Sequence, residues 1–279
     1  MSDSLVTLTR VSPAVARITY ANPPVNLIVG AAVVRLAAVV DELLADPDVQ
    51  VVVFDSATPD FFLNHFDLAG LAGFPGPDEA TGRAVWTDLV LCLSRAPFIT
   101  VGSIRGRTRG GGNELALALD LRYASLEKAL FGQPEVGTAV VPGGGGTERL
   151  PRLIGRDRAL EAILTSADYD AARAESWGWV TRAVPDAELD AYVDGVVERL
   201  ASFDGATLAT AKAMVNRASL PPDGDLVAAY REFEHSTTLP GYRVRAASTP
   251  TLPPEQLLAL EHDLGAFLGR AALRRAQAD

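Results

Sequence analysis

Two acidic residues and a run of glycines are the features of this sequence whose types and spacing could do chemistry. Gly110-Gly111-Gly112-Asn113-Glu114 follows an apolar run and opens a stretch of helical character. The first amides of a helix have no partner within it, and the dipole there favours negative charge. Glycines let a ligand approach the backbone closely. Such a segment can hold an oxyanion or a phosphate, or it can be a tight strand-to-helix turn with no ligand. No Gly-Lys-Ser/Thr follows, so it is not a P-loop, and the G-x-G-x-x-G dinucleotide pattern is absent at this place. Glu114 stands three residues beyond Gly111, a helical spacing that sets its side chain beside the Gly111 amide. Glu135 sits in the stiff segment Phe131-Gly132-Gln133-Pro134-Glu135-Val136. Each glutamate alone reads equally as a surface residue. Two that meet beside an oxyanion-holding turn suit general acid and base work on a carbon next to a carbonyl, with burial raising the pKa of at least one. A second cluster, Pro142-Gly143-Gly144-Gly145-Gly146-Thr147, reads as a turn with a close-packed helix start.

The elements that must position these residues follow from periodicity. Residues 5–9 and 14–20, joined by Ser12-Pro13, predict a hairpin. Helices are expected over 31–44, 78–95, 113–119, 156–164 and 171–177. The wholly apolar run 51–54 predicts a strand buried on both faces and 98–104 another buried strand, with shorter strands at 121–124, 129–131 and 179–184. From Asp186 the pattern is helical, broken at Pro221-Pro222 and Pro253-Pro254. The class is therefore α/β with mostly parallel pairing: a core over residues 1–195 carrying the site, and a helical region over 196–279.

Composition bounds the function. The chain has 279 residues, 48% hydrophobic and 22% charged, which excludes a disordered or fibrous protein. Its net charge of −10 disfavours nucleic acid as a partner. A single cysteine, Cys92, and three histidines leave no internal disulfide and argue against a structural zinc site. No secretory leader is visible at the start, and the most apolar stretch, 27–40, is interrupted by Arg35 and falls short of the ~18–20 residues of a membrane span. A soluble cytoplasmic protein, with no membrane and no metal, is the expectation.

The combination of Ala96-Pro97-Phe98, Gly110 through Ala116, Phe131 through Glu135, Pro142 through Thr147 and Arg149-Leu150, in that order, resembles the enoyl-CoA hydratase/isomerase (crotonase) superfamily. The resemblance is strongest over residues 50–185 and implies a spiral of β-β-α units with a C-terminal helical region for oligomerisation and pocket cover. It implies acyl-CoA thioester substrates, trimers or dimers of trimers, and no cofactor beyond the coenzyme A of the substrate. It also implies an oxyanion hole made by the backbone N–H groups of Gly111 and Phe66, the latter in Phe62-Leu63-Asn64-His65-Phe66-Asp67. Glu114 would handle water and Glu135 the α-proton, the pairing of the hydratase branch. Asn64, His65, Asp67, Gly110 and Arg109 are the expected substrate-binding neighbours. Other reactions of the scaffold (double-bond isomerisation, thioester hydrolysis, decarboxylation) and a non-catalytic acyl-CoA-binding role are the alternatives.

Two departures from the family pattern bear on these roles. Asn64-His65 stand where relatives carry Ala-Gly, and His65 takes left-handed backbone angles less freely than glycine. The side chain at His65 could touch the substrate or merely fill space. Arg105, Arg107 and Arg109 crowd the approach to the glycine turn, where they could bind coenzyme A phosphates or pair with acidic neighbours.

Overall fold

The computed structural model describes residues 5–248 and 252–275. The chain begins as the expected hairpin, β1 (Val6–Ser12) antiparallel to β2 (Val15–Tyr20). Next comes α1 (Gly30–Leu44), which buries Val33, Leu36, Val40 and Leu43 at helical spacing. It is followed by β3 (Val51–Ser56), α2 (Val85–Arg95), β4 (Ile99–Ile104), β5 (Arg107–Arg109) and α3 (Gly111–Ala118). Then come β6 (Leu121–Ser125), β7 (Leu130–Gly132), α4 (Gly146–Ile154), α5 (Arg156–Thr165), β8 (Asp168–Asp170), α6 (Ala171–Trp177) and β9 (Arg182–Val184). The rest is helical: α7 (Leu189–Ala201), α8 (Gly205–Ser219), α9 (Asp223–Ser236), α10 (Pro240–Ser248), α11 (Pro254–His262) and α12 (Leu264–Arg275).

Two sheets organise the core. The larger has the order β1-β2-β3-β4-β6-β9 and is parallel from β2 onward; the smaller is β5-β7-β8, with β5 parallel to β7. The chain passes from one sheet to the other at β4–β5 and again at β6–β7, a helix following each passage. This is a spiral of strand-strand-helix turns. The first four residues of β3 show why that run is apolar: Val52 and Phe54 enter the main core with α1, α2 and α3, while Val51 and Val53 pack against Leu189, Val193 and Val197 of α7. A stretch of strand buried on both faces favours apolar residues at every position.

The structure corrects several boundaries. The helix expected over 78–95 starts only at Val85. The Asp78 carboxylate accepts the amides of Ala80 and Thr81, and Gly82 takes a positive φ of 66°, so this segment closes as a turn. The strand expected over 179–184 is confined to Arg182–Val184, because Trp179 and Val180 bond back to Ala174. The short strands β5 and β8 carry charged residues and were not legible as strands. Residue 195 lies inside α7.

Candidate active site

The glycine turn is built by local rules. Gly110 adopts φ 52° and ψ −127°, and a Cβ there would stand 2.8 Å from both Glu135 Oε1 and the His65 Cβ. Glycine meets both demands at once. Helix α3 then begins, every residue buried, with Glu114 in its first turn and 2% exposed. The Gly110 amide donates to Gly132 O (3.1 Å) and the Gly112 amide to Asn64 O (3.0 Å). The Gly111 amide between them donates to no group among the described residues.

The facing turn reaches the same end by different means. Phe66 bridges Ile28 in parallel fashion: Ile28 N–H donates to His65 O (3.0 Å) and Asp67 N–H to Ile28 O (2.9 Å). Phe66 O faces the His65 Nδ1 at 2.9 Å. Every backbone polar group flanking the Phe66 Cα is thus held except its own N–H, which donates to nothing among the described residues. Buried amides are rarely left this way unless a ligand or water completes them. The two turns are stitched together by the Gly112 to Asn64 bond and by Arg109 N–H to Leu63 O (3.3 Å). The Phe66 ring lies against Gly111, its Cε1 2.7 Å from where a Cβ of Gly111 would be. Phe74, Trp86 and Phe233 surround that ring, with centroids 4.9, 5.0 and 6.0 Å away. His65 has no positive φ, so glycine's freedom is not needed at that position.

The two carboxylates have unequal surroundings. Glu114 Oε1 accepts the amides of Gly144 (2.7 Å) and Gly146 (3.0 Å), which the second glycine cluster presents. Arg149, 4% exposed, braces that cluster by donating to Gly144 O (3.3 Å) and Ser94 Oγ (2.9 Å). Burial raises Glu114 to about 7, and the two amides hold it from going higher. Glu135 is raised well above the ordinary carboxylate range, first by burial and then by the charge of Glu114. Only its own backbone N–H and, weakly, Gln133 Nε2 (3.4 Å to Oε2) donate to it among the described residues. Gln133 is oriented by Asn113 (2.5 Å), which in turn accepts from Trp179 Nε1 (2.9 Å). Trp86 Nε1 is buried without a partner, and the point where a Cβ of Gly144 would sit is 2.3 Å from it and 2.5 Å from Glu114 Oε2. The orphaned indole N–H and the second Glu114 oxygen thus face the same glycine, Gly144.

The remaining expected substrate contacts are engaged internally. Asn64 donates to Val25 O (3.2 Å) and to Glu261 Oε2 (2.8 Å). The Asp67 carboxylate caps the 3-10 turn Leu68–Gly73 through Ala69 N–H. Arg109, 1% exposed, forks onto Asp168 at 2.8 and 2.7 Å and donates to Glu261 O (2.5 Å). Arg105 pairs with Asp186 and Asp190, and Arg107 donates to His262 O. Sequence reasoning missed Asn26, Trp86, Gly144 and Gly146, Arg149 and Glu261. For Gly144 and Gly146 the glycine cluster was the signal; for Glu261, far along the chain, there was none.

A groove of about 620 Å³ between the end of α2 and α8, lined by Arg95, Lys212, Asn216 and Arg217, contains none of these residues. Among the described residues no group of three His, Cys, Asp or Glu could hold a metal, and no helix is long and apolar enough to cross a membrane.

Comparison with known proteins decides the family. The enoyl-CoA hydratase/isomerase family model matches residues 10–238. The chain belongs to this family. A Mycobacterium leprae protein named probable enoyl-CoA hydratase is 34% identical over 198 residues, covering 70% of this chain and 75% of the relative. A Dictyostelium discoideum protein named probable mitochondrial enoyl-CoA hydratase is 42% identical over 48% of this chain, but the match spans only 46% of its own length. An Arabidopsis thaliana peroxisomal multifunctional protein of fatty acid beta-oxidation is matched over 24% of its length. Among solved structures, a Streptomyces avermitilis protein assigned as a candidate enoyl-CoA hydratase superposes with TM-score 0.85 at 39% identity, covering 96% of this chain and 98% of that one. The crotonase fold and its C-terminal helical region are therefore those of the family.

Proposed function

We propose that this protein is a lyase of the enoyl-CoA hydratase type, reversibly adding water to an α,β-unsaturated acyl-CoA thioester. The observation that carries the reading is the unequal setting of two buried carboxylates below two unspent amides. Glu114, steadied by two N–H groups, is the first of the pair to lose its proton; Glu135, with weaker donors and facing that charge, keeps its own. A base and an acid thus coexist near neutral pH, as hydration requires.

The steps follow from the geometry. The thioester oxygen is received by the N–H groups of Phe66 and Gly111, which stabilise the enolate by about 3–4 kcal/mol each. Water held between Trp86 Nε1 and Glu114 Oε2 gives its proton to Glu114 as its oxygen bonds to the β-carbon. Gln133 bonds Glu135 Oε2, which leaves the proton on Oε1, the oxygen facing the Gly110 turn. From there it passes to the α-carbon, and the carbonyl re-forms. Coenzyme A arrives as part of the substrate, and no other cofactor or metal takes part. An isomerase needs only a proton shuttle; one solved neighbour, from M. smegmatis at 29% identity, is described as a monofunctional enoyl-CoA isomerase. A polar slot with an orphaned donor favours water, and so hydration.

A homotrimer or a dimer of trimers, in the cytoplasm, completes the reading. Exposed Phe203, Met214 and Val215, at 45, 61 and 65%, supply apolar surface for assembly. A lone exposed Cys92 suits a reducing compartment. The decisive assay follows loss of enoyl conjugation across a panel of enoyl-CoA esters, with product mass. Gain of one water supports the reading; an isomerised or hydrolysed product replaces it. Light scattering tests assembly, where a strict monomer contradicts it.

A further inference from the structure

The turn that presents Phe66 is tied to the far end of the chain. Glu261, on α11 and 3% exposed, lies 196 residues beyond His65, and its Oε1 is 3.1 Å from His65 Nε2. Its Oε2 accepts from Asn64 (2.8 Å) and lies 3.6 Å from Arg109 Nη1, while its backbone carbonyl accepts from the same guanidinium (2.5 Å). The other ring nitrogen of His65 meets Phe66 O. With both nitrogens facing acceptors, the ring satisfies both as an imidazolium. Two further contacts seat α11, Arg107 on His262 O and the His262 ring edge-on to Phe61 at 5.6 Å, and just beyond it Gly265 at the start of α12 lies against Asp168.

We propose that His65 and Glu261 are a positioning pair: Glu261 holds the His65 imidazolium, and the imidazolium holds the Phe66 peptide so that its N–H points at the thioester oxygen. The inference rests on the reading of Phe66 as an oxyanion donor and adds what aims it. Where glycine would leave the turn free to rotate, a side chain reaching back from the C-terminal helical region fixes it. Preorganised donors are worth more than donors that must be oriented during reaction.

The charges around the pair are mixed. Burial opposes a charged His65, but the Glu261 carboxylate outweighs it and raises the imidazole above its ordinary value. Glu261 is lowered despite burial, by His65, Asn64 and Arg109. Arg109 from β5 opposes the imidazolium, but is itself neutralised by Asp168 of β8; Glu135 lies across Gly110. A raised histidine holds its proton below its ordinary value and loses it as pH rises through the raised one. The lowered Glu261 stays ionised down to below the ordinary carboxylate value. The pair is therefore intact below the ordinary histidine value and opens as pH rises through the raised one.

The test compares wild type with Glu261→Gln and His65→Gln. Glu261→Gln keeps the shape and the Asn64 contact but removes the charge. Its kcat falls about 10-fold or more, less than the 10²–10³ of deleting a donor outright, with KM within about twofold. The alkaline limb of its kcat moves to lower pH, and His65→Gln lacks that component altogether. In a bound, carbonyl-labelled thioester analogue the carbonyl band shifts back toward its position in water. Hydrogen exchange of residues 62–68, read by mass spectrometry with no ligand, quickens in Glu261→Gln. Unchanged exchange, or a carbonyl band like that of wild type, overturns the pairing, as does a loss confined to KM. If wild type polarises the carbonyl yet hydrates no ester, the proposed reaction fails while the pairing stands.

Discussion

The two turns that present unspent amides were built by opposite strategies. Around Gly110 the backbone itself sets the aim: glycines give it its angles, and the start of α3 leaves Gly111 N–H without a partner among the described residues. Around Phe66 most of the support comes from elsewhere in the chain. Its turn is held by Asn26, whose Nδ2 donates to Phe62 O at 2.5 Å, by Ile28, and by Glu261. Asn26 itself takes φ 53° to do so. The comparison teaches that an aimed N–H can be secured by backbone freedom at one residue, or by groups drawn from two distant parts of the chain, residues 26–28 and Glu261. The first is compact; the second makes the site depend on the whole fold.

Replacing an acid separates the turns from the chemistry they serve, and has the largest effect. Glu135→Gln is expected to lower kcat by about 10²–10⁴ while thioester affinity stays within a few-fold. Calorimetry beside steady-state rates checks this, and turnover like that of wild type removes Glu135 from the mechanism. Breaking the glycine-built turn comes next. Gly110→Ala forces a Cβ into a positive-φ residue and against Glu135 Oε1 and His65. Strain of about 1–3 kcal/mol lowers the melting temperature, and kcat falls with it. Breaking the side-chain-built turn at Asn64→Ala removes two buried hydrogen bonds. Denaturant unfolding should report a loss of about 1–3 kcal/mol.

The legibility of the two turns in the sequence differed for the same reason. The glycine run, Glu114 and Glu135 lie within a span the eye can follow, and local rules tie type to role. The strands β3 and β4 were legible because burial on both faces leaves mostly apolar runs, unbroken over 51–54. The short strands β5 and β8 were not, since Arg107, Arg109, Asp168 and Asp170 serve ion pairs and a helix cap rather than a hydrophobic face. Glu261 was illegible because its partners are brought to it only by folding. The concern over His65 as a glycine substitute dissolved because the backbone there keeps a negative φ.

Two smaller effects sharpen the contrast between the carboxylates. With Glu114 raised to about 7 and acting as base, kcat/KM should climb through that pH, then fall where Glu135 loses its proton. The same raised value means the folded protein binds this proton more tightly than the unfolded chain, so ionising Glu114 weakens the fold as pH rises. Glu114→Gln, though inactive, should therefore melt higher than wild type above neutral pH, and the gap should close toward pH 5; a gap independent of pH contradicts the assignment. Trp86→Phe keeps an aromatic ring beside Phe66 and removes the unpartnered N–H together with part of the indole's volume. A several-fold fall in kcat is expected with little change in melting temperature, since losing an unsatisfied buried donor offsets the lost packing.

The account stands on a carbonyl oxygen gripped by amides from both turns. An isotope-edited infrared spectrum of a carbonyl-labelled enoyl-CoA ester, bound to the Glu135→Gln variant so that it does not turn over, reads that grip directly. The expected spectrum has a carbonyl band well below its frequency in water. A band at or above the aqueous frequency would mean that neither Phe66 nor Gly111 faces the oxygen, and would contradict the central claim.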